Sequence, residues 1–247
     1  MNQAVKFQLG LGAMVIIYYL VRLLGISDHG LNIWQQIYWG NLIRNSFLLL
    51  LTFLLFYQIF NQARKMPITG PTLVKGSLLK KLLFIFFGLG WLAVVTHTIF
   101  DSLKILLPLE LLPLYQFADL MDETIAHLFM HIPIQLGFFL LTLLEIQRPS
   151  STPLVRKNLV ILIISSSLTG LLWGLNLSEG NFSIYFSLPT VIIYLIITTY
   201  LIKHFRIKLT NRPWTLYSLI TSASIAISFS VWSLIHSSST QFFSTLK

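Results

Sequence analysis

The sequence contains no cysteine and few charged residues. Without cysteine there can be no disulfide, thiolate metal site or cysteine nucleophile, so any bound metal has to be held by imidazole, carboxylate or water. Only 10% of the 247 residues are charged, far below the roughly one quarter that is usual in soluble domains. The hydrophobic fraction is 55% and the mean hydropathy is +0.77. This composition predicts an all-α, polytopic membrane protein.

Acidic residues are scarcer than basic ones. Eight Asp and Glu stand against 17 Lys and Arg, which gives a formal net charge of +9. In a soluble chain such a charge would suggest nucleic-acid binding. Here the basic residues lie between apolar runs, where orientation in a bilayer explains them. The predicted partners are therefore membrane lipids, and nucleic acid is excluded.

Seven apolar runs are long enough to cross the hydrocarbon core, which takes roughly 20 helical residues. No soluble domain or internal repeat separates them, so the prediction is one transmembrane domain over 1–247, a bundle of seven helices. No small-residue cleavage site follows the first run, which we interpret as a retained span in a bacterial inner membrane. The runs cover about 7–25, 42–61, 80–107, 123–146, 158–177, 182–202 and 215–237.

The basic residues predict the orientation of the bundle. They gather in the second, fourth and sixth gaps between spans, which share one side of the membrane. The positive-inside rule makes that side cytoplasmic, with the N-terminus inside and the C-terminus outside. Among acidic residues only Glu145 lies on the inner side, and it is predicted to pair with Arg148. Gly170 and Gly174 form a GxxxG pattern, which predicts a close helix approach.

A set of ionisable residues occupies the third and fourth predicted spans. It consists of His97 and Asp101 on the third and of Glu123, His127 and His131 on the fourth. Spacing by four residues places each group on one face of its helix. Because the two spans are antiparallel, both groups fall at similar depths in the outer half of the membrane. Ionisable residues at such a depth are costly and usually functional.

These residue types are suited to binding a divalent metal. His97, His127 and His131, with Asp101, are the predicted ligands, with zinc favoured and copper or iron as alternatives. Asp101 or Glu123 would take a proton from metal-bound water. The favoured function is metal-dependent hydrolysis of a lipid amide or ester. A metal or proton transporter remains an alternative, and so does a scaffold in which the polar residues only join two helices.

Two family resemblances bear on this site. The set His97, Asp101, His127 and His131 resembles the three-histidine, one-aspartate site of intramembrane zinc hydrolases such as the alkaline ceramidases and adiponectin-receptor-like proteins. This resemblance implies attack of zinc-bound water on a lipid amide. In that superfamily the HxxxH pair lies on the last helix, whereas here it lies on the fourth predicted span.

The second resemblance is to one of the membrane subunits of the copper membrane monooxygenases. The run DETIAH, from Asp122 to His127, looks like that family's Asp-x-Thr-x-x-His. The three residues Gly174, Leu175 and Asn176 look like its Gly-Leu-Asn. It implies that His127 and Asn176 bind metal in a copper- or iron-binding subunit of a membrane oxidase or monooxygenase, with other membrane subunits as partners. Both resemblances cover few residues, so the chain is assigned to neither family.

Overall fold

The computed structural model describes residues 64–107, 111–150, 153–177 and 183–237, together with single residues and short pieces of 6–61. Every regular element in these ranges is helical. A π-helical segment, Leu120–Ala126, is called the π-turn below, and a short 3-10 turn covers Leu209–Asn211. The α-helices are α1 (Gly76–Leu106), α2 (Leu112–Asp119), α3 (His127–Gln147), α4 (Arg156–Leu177), α5 (Ser183–His204) and α6 (Pro213–Ser237).

Five helical stretches are long and apolar enough to cross a membrane, which agrees with the predicted class of protein. Four of them match the predicted spans at about 80–107, 158–177, 182–202 and 215–237. The predicted spans at about 7–25 and 42–61 fall mostly outside the described residues. The five stretches are Gly76–Lys104, Leu112–Gln147, Arg156–Leu175, Ser187–His204 and Pro213–Trp232.

The span predicted at about 123–146 is longer in the structure and begins at Leu112. Sequence reading treats the residues before 123 as a connection because they contain proline and acidic residues. Pro113 lies in the first turn of α2, where a helix tolerates proline because the first N–H groups have no partner within the helix. The result is a continuous helical path through α2, the π-turn and α3.

Large apolar side chains cover the outside of the bundle while many hydroxyl groups lie inside. On α5 the exposed residues follow helical spacing and form one stripe, and α4 carries a similar stripe. An apolar surface of this extent would be a liability in water and is the expected surface in lipid. The stripe on α5 contains Ile192, Ile193, Ile196, Ile197 and Tyr200.

Helices α3 and α6 form the centre of the described bundle. Helix α3 packs against α1, α5 and α6, and α6 packs against α3, α4 and α5. The seam between α4 and α6 is made of small residues, as the GxxxG pattern predicts. A Cβ on Gly170 would overlap the main-chain oxygen of Thr221, and one on Gly174 would lie 2.7 Å from the Cβ of Ser228. The predicted close approach is therefore confirmed, as a contact within the chain.

The connections rich in lysine and arginine meet at one end of the bundle, called the basic end below. Glu145, near the end of α3, lies there and caps the start of α6. Its carboxylate accepts hydrogen bonds from the main-chain N–H groups of Trp214, at 3.1 Å, and Thr215, at 2.7 Å. Arg148 instead donates to the main-chain oxygens of Arg64 and Met66. The predicted pairing of Glu145 with Arg148 is therefore wrong, because the carboxylate satisfies otherwise unpaired N–H groups of a helix start.

Candidate functional site

Three histidines lie in a row between α1 and α3, at the end of the bundle opposite the basic end. His97 belongs to the last third of α1, His127 is the first residue of α3, and His131 follows one turn later. The ring centroids of His97 and His127 are 4.9 Å apart, and those of His127 and His131 are 6.2 Å apart. The antiparallel packing of α1 against α3 thus brings the three predicted imidazoles together.

Asp122, in the π-turn, holds the first two histidines. Its side chain is 0% exposed. Oδ1 is hydrogen-bonded to Nδ1 of His97, and the main-chain oxygen accepts a hydrogen bond from Nδ1 of His127 at 3.1 Å. A π-helix places residues i and i+5 along one line of hydrogen bonds, and Asp122 and His127 are five residues apart. The π-turn therefore places the main-chain oxygen of Asp122 beside His127, while the carboxylate of the same residue contacts His97.

Lys104 balances the buried charge of Asp122. Its Nζ lies 2.6 Å from Oδ2 of Asp122 and 3.2 Å from Oδ1 of Asp119. A carboxylate removed from water is tolerated only when it is paired and hydrogen-bonded. The carboxylate of Asp122 meets both conditions, with the ammonium group on one oxygen and His97 on the other. This network ties the end of α1 to α2 and the π-turn.

His131 has a different environment from the other two histidines. Trp173 of α4 donates its indole N–H to Nδ1 of His131 at 2.9 Å. An indole nitrogen can only donate, so Nδ1 carries the lone pair and the neutral ring carries its hydrogen on Nε2. The residue is 5% exposed, and its Nε2 has no hydrogen-bond partner within the described part of the chain. His131 therefore directs an N–H group into the interior.

The hydrogen bonds of His97 and His127 place the ring hydrogen on Nδ1, whereas that of His131 is on Nε2. In each neutral ring, Nδ1 donates to an oxygen of Asp122 and the lone pair lies on Nε2. Histidines that bind metals almost always donate their other ring N–H to a carboxylate or a main-chain carbonyl in this way. Two imidazoles on one tetrahedral ion, with metal–nitrogen bonds of about 2.0–2.1 Å, have ring centroids roughly 5 Å apart. The centroids of His97 and His127 are 4.9 Å apart with the ring planes inclined by 61°, which matches this spacing and equally matches an edge-to-face ring contact.

The remaining predicted site residues are Asp101 and Glu123. Asp101 lies partly buried on α1, one turn after His97, and the backbone of Glu123 belongs to the π-turn, while its side chain lies outside the described residues. Within the ranges that the structure describes, no three or more His, Asp or Glu side chains are grouped as a metal site would require. The predicted ligand set of three histidines and Asp101 stays a prediction.

Sequence reading gave no role to Lys104 or Trp173, and it included Asp122 only as the first residue of the run DETIAH. A signal for Lys104 was available, because a lysine inside an apolar span needs a carboxylate partner. The role of Asp122 depends on the i to i+5 geometry of the π-turn, which the four-residue spacing of an α-helix does not predict. Trp173 lies on another helix, and the sequence gives no sign of which helix faces His131.

Buried polar residues continue from the histidines along α3. Gln135 follows one turn after His131, and its Oε1 accepts a hydrogen bond from Ser222 of α6 at 3.4 Å. Further along, Thr142 is 3.1 Å from the hydroxyl oxygen of Tyr194. Together with Glu145 these side chains form a row of buried polar groups on α3, with the apolar Phe138 between Gln135 and Thr142, and this row is called the polar path below.

No family model, curated protein or solved structure matches the chain. The site is therefore interpreted from its own residues. Its features are two imidazoles oriented by one buried aspartate, a third imidazole oriented by an indole, and a lysine that balances the charge.

Proposed function

We propose that this chain is a metal-dependent membrane hydrolase that cleaves a lipid amide or ester within the bilayer. It would be a bundle of seven transmembrane helices in a bacterial inner membrane, with a cytoplasmic N-terminus and an outer C-terminus. The observation that carries the proposal is the anchoring of Nδ1 of both His97 and His127 by the oxygens of Asp122. A packing role for these histidines would not need both rings to be oriented by one buried residue.

His97 and His127 would bind the ion, zinc in the first instance, through Nε2. Asp122 acts as a positioning residue, because its hydrogen bonds fix the orientation of both rings and make them better donors to a metal. His131 could bind directly only if the hydrogen bond from Trp173 were broken. As it stands, its N–H group is suited to donate to an oxygen that becomes negatively charged during the reaction. The other coordination positions are left for Asp101, water and substrate.

A carboxylate near the metal supplies the base. Asp101, one turn from His97, or Glu123, in the π-turn, would take a proton from the bound water. A bound ion would supply Lewis-acid chemistry for hydrolysis, and the same carboxylate would pass the proton to the amine or alcohol that leaves the lipid. The side chain of His97 is 26% exposed, so the site is not fully enclosed, which would allow a lipid to approach it.

Metal analysis of the purified protein tests this proposal. We expect about one zinc ion per chain, lost in the His127→Ala variant together with hydrolysis of a lipid amide or ester. The control is His204→Ala, because His204 is exposed near the basic end and stacks on Tyr200. Copper or iron in place of zinc would support the oxidase or monooxygenase alternative. Metal-free protein with unchanged hydrolytic activity would refute the proposal.

The polar path along α3 favours a second candidate, a proton- or metal-coupled transporter. Intramembrane histidines, glutamines and carboxylates in a row are typical of such pathways. In proteoliposomes this candidate predicts a proton or zinc flux that is lost in the Gln135→Leu variant. A variant with lost flux and intact lipid hydrolysis would favour transport, and hydrolysis without any flux in the wild type would favour the enzyme.

A further inference from the structure

A cavity at the basic end, far from the histidines, has the features of an anion-binding site. Its volume is about 600 Å³, and it lies among residues 66–71, 149–150 and 205–212. Three cationic side chains line it, Arg206, Lys208 and Arg212, and none of the described residues that line it is acidic. The cavity therefore concentrates positive charge without a built-in counterion on its walls.

Arg212 is the innermost of the three cations. It is 9% exposed, and its Nε is buried without a hydrogen-bond partner in the described part of the chain. Among the described residues, the contacts of its terminal nitrogens are long, at 3.4 Å to the main-chain oxygens of Asn211 and Ile146. Burial lowers the pKa of Arg212, and the nearby Glu145 only partly opposes this effect. The carboxylate of Glu145 is already bound to the start of α6, so the guanidinium forms no ion pair within the described part of the chain.

The other two cations lie at the rim of the cavity on the connection after α5. Arg206 has a φ of 51°, in the left-handed region that non-glycine residues rarely occupy. This conformation is the left-handed cap that ends α5, in which the N–H of Ile207 donates to the main-chain oxygen of Ile202 at 3.0 Å. Both Arg206 and Lys208 are exposed, so their charges are accessible to a ligand that enters the cavity.

We propose that this cavity binds a ligand bearing an anionic phosphate, either the headgroup of an anionic phospholipid or a free phosphate. Guanidinium groups recognise phosphate oxygens through paired, charge-assisted hydrogen bonds, and Arg212 has an unused N–H group. Basic pockets between membrane helices on the cytoplasmic side bind anionic lipid headgroups by the same chemistry. This cavity is separate from the histidines, so the proposed phosphate binding does not depend on the proposed hydrolase activity.

The test uses the full-length protein and two probes. The first is inorganic phosphate, titrated into detergent-solubilised protein by calorimetry. The second is phosphatidylglycerol, measured by mass spectrometry as lipid retained from mixed vesicles with phosphatidylcholine. The test variant is Arg206→Gln with Lys208→Gln, in which both changed residues are exposed, and its unfolding temperature is measured beside that of the wild type. The control is Lys157→Gln with Lys203→Gln, two exposed basic residues at the same end that do not line the cavity.

We expect saturable binding of at least one probe by the wild type. The test variant should bind it roughly tenfold or more weakly, since each basic residue near an anionic surface contributes several-fold to affinity. The control variant should bind as the wild type does. Binding of inorganic phosphate would identify a soluble ligand, and retention of phosphatidylglycerol alone would identify a lipid headgroup. Absence of binding by the wild type, or equal weakening in both variants, would overturn the proposal.

Discussion

The Asp122→Asn substitution perturbs the histidine site at the residue that orients it. Asparagine has nearly the size of aspartate, so the packing of the π-turn is kept while one buried negative charge is lost. The amide oxygen can still accept a hydrogen bond, but the ammonium group of Lys104 loses a charged partner at 2.6 Å. The change therefore separates the electrostatic role of the carboxylate from its shape.

Two magnitudes follow from these contacts. Replacing a residue that orients metal-binding histidines costs about 10–100-fold in metal affinity, so the Kd for zinc should rise by that factor. Removing one partner of a buried ion pair costs about 3–5 kcal/mol. Because Asp119 remains 3.2 Å from Lys104, we expect the loss of stability at the lower end, about 3 kcal/mol.

Both quantities can be measured on purified protein in detergent. Zinc affinity is obtained by competition with a chelator of known affinity, and stability by thermal unfolding. The matched control is Asp119→Asn, which changes a carboxylate that also contacts Lys104 but does not bond to a histidine. Since Asp119 is 50% exposed, its replacement should leave zinc affinity unchanged and lower stability by less than about 1 kcal/mol.

The reasoning is refuted if Asp122→Asn protein binds zinc as tightly as the wild type. It is also refuted if the two variants weaken zinc binding equally, because the effect would then come from general loss of charge. A fall in stability with unchanged zinc affinity would leave Asp122 as a purely structural residue.

Two further substitutions test the packing of the bundle. Glu145→Gln should lower stability by about 1–2 kcal/mol, because a neutral amide is a weaker acceptor for the N–H groups at the start of α6, and an unchanged unfolding temperature would contradict this role. Gly170→Leu should destabilise by at least about 1–3 kcal/mol, because its side chain would overlap the main chain of Thr221. Gly88→Leu is the control, since a Cβ there meets no atom within 4 Å, and equal effects of the two leucines would reject the seam as the cause.

The bounds of the later helices follow closely from the sequence. Predicted spans at about 158–177, 182–202 and 215–237 differ by only a few residues from α4, α5 and α6. The agreement arises because a helix in lipid must satisfy every main-chain hydrogen-bonding group internally. The length of the apolar run therefore sets the length of the helix. The same rule does not predict the helix just before residue 123, because proline and acidic residues interrupt the apolar run there.

The site was harder to predict than the helices. Spacing by four residues selected His127 and His131 as neighbours, and the structure has them on one face of α3. The same spacing predicted Glu123 on the face of His127, and the side chain of Glu123 lies outside the described residues. The main-chain oxygen of Asp122 accepts a hydrogen bond from the ring of His127. Contacts between helices, such as that of Trp173 with His131, depend on which helices are neighbours, and local sequence does not encode this.

The π-turn also makes the chain sensitive to length at this point. One extra residue is accommodated between α2 and α3, so loss of any single residue from Leu120–Ala126 would favour an ordinary α-helix. Each residue of an α-helix advances the chain by about 100° around its axis. Such a deletion would therefore swing Asp122 about a quarter turn around the helix, away from His97 and Lys104. Over these seven positions, a single deletion should be far more damaging than most substitutions, although it removes no histidine.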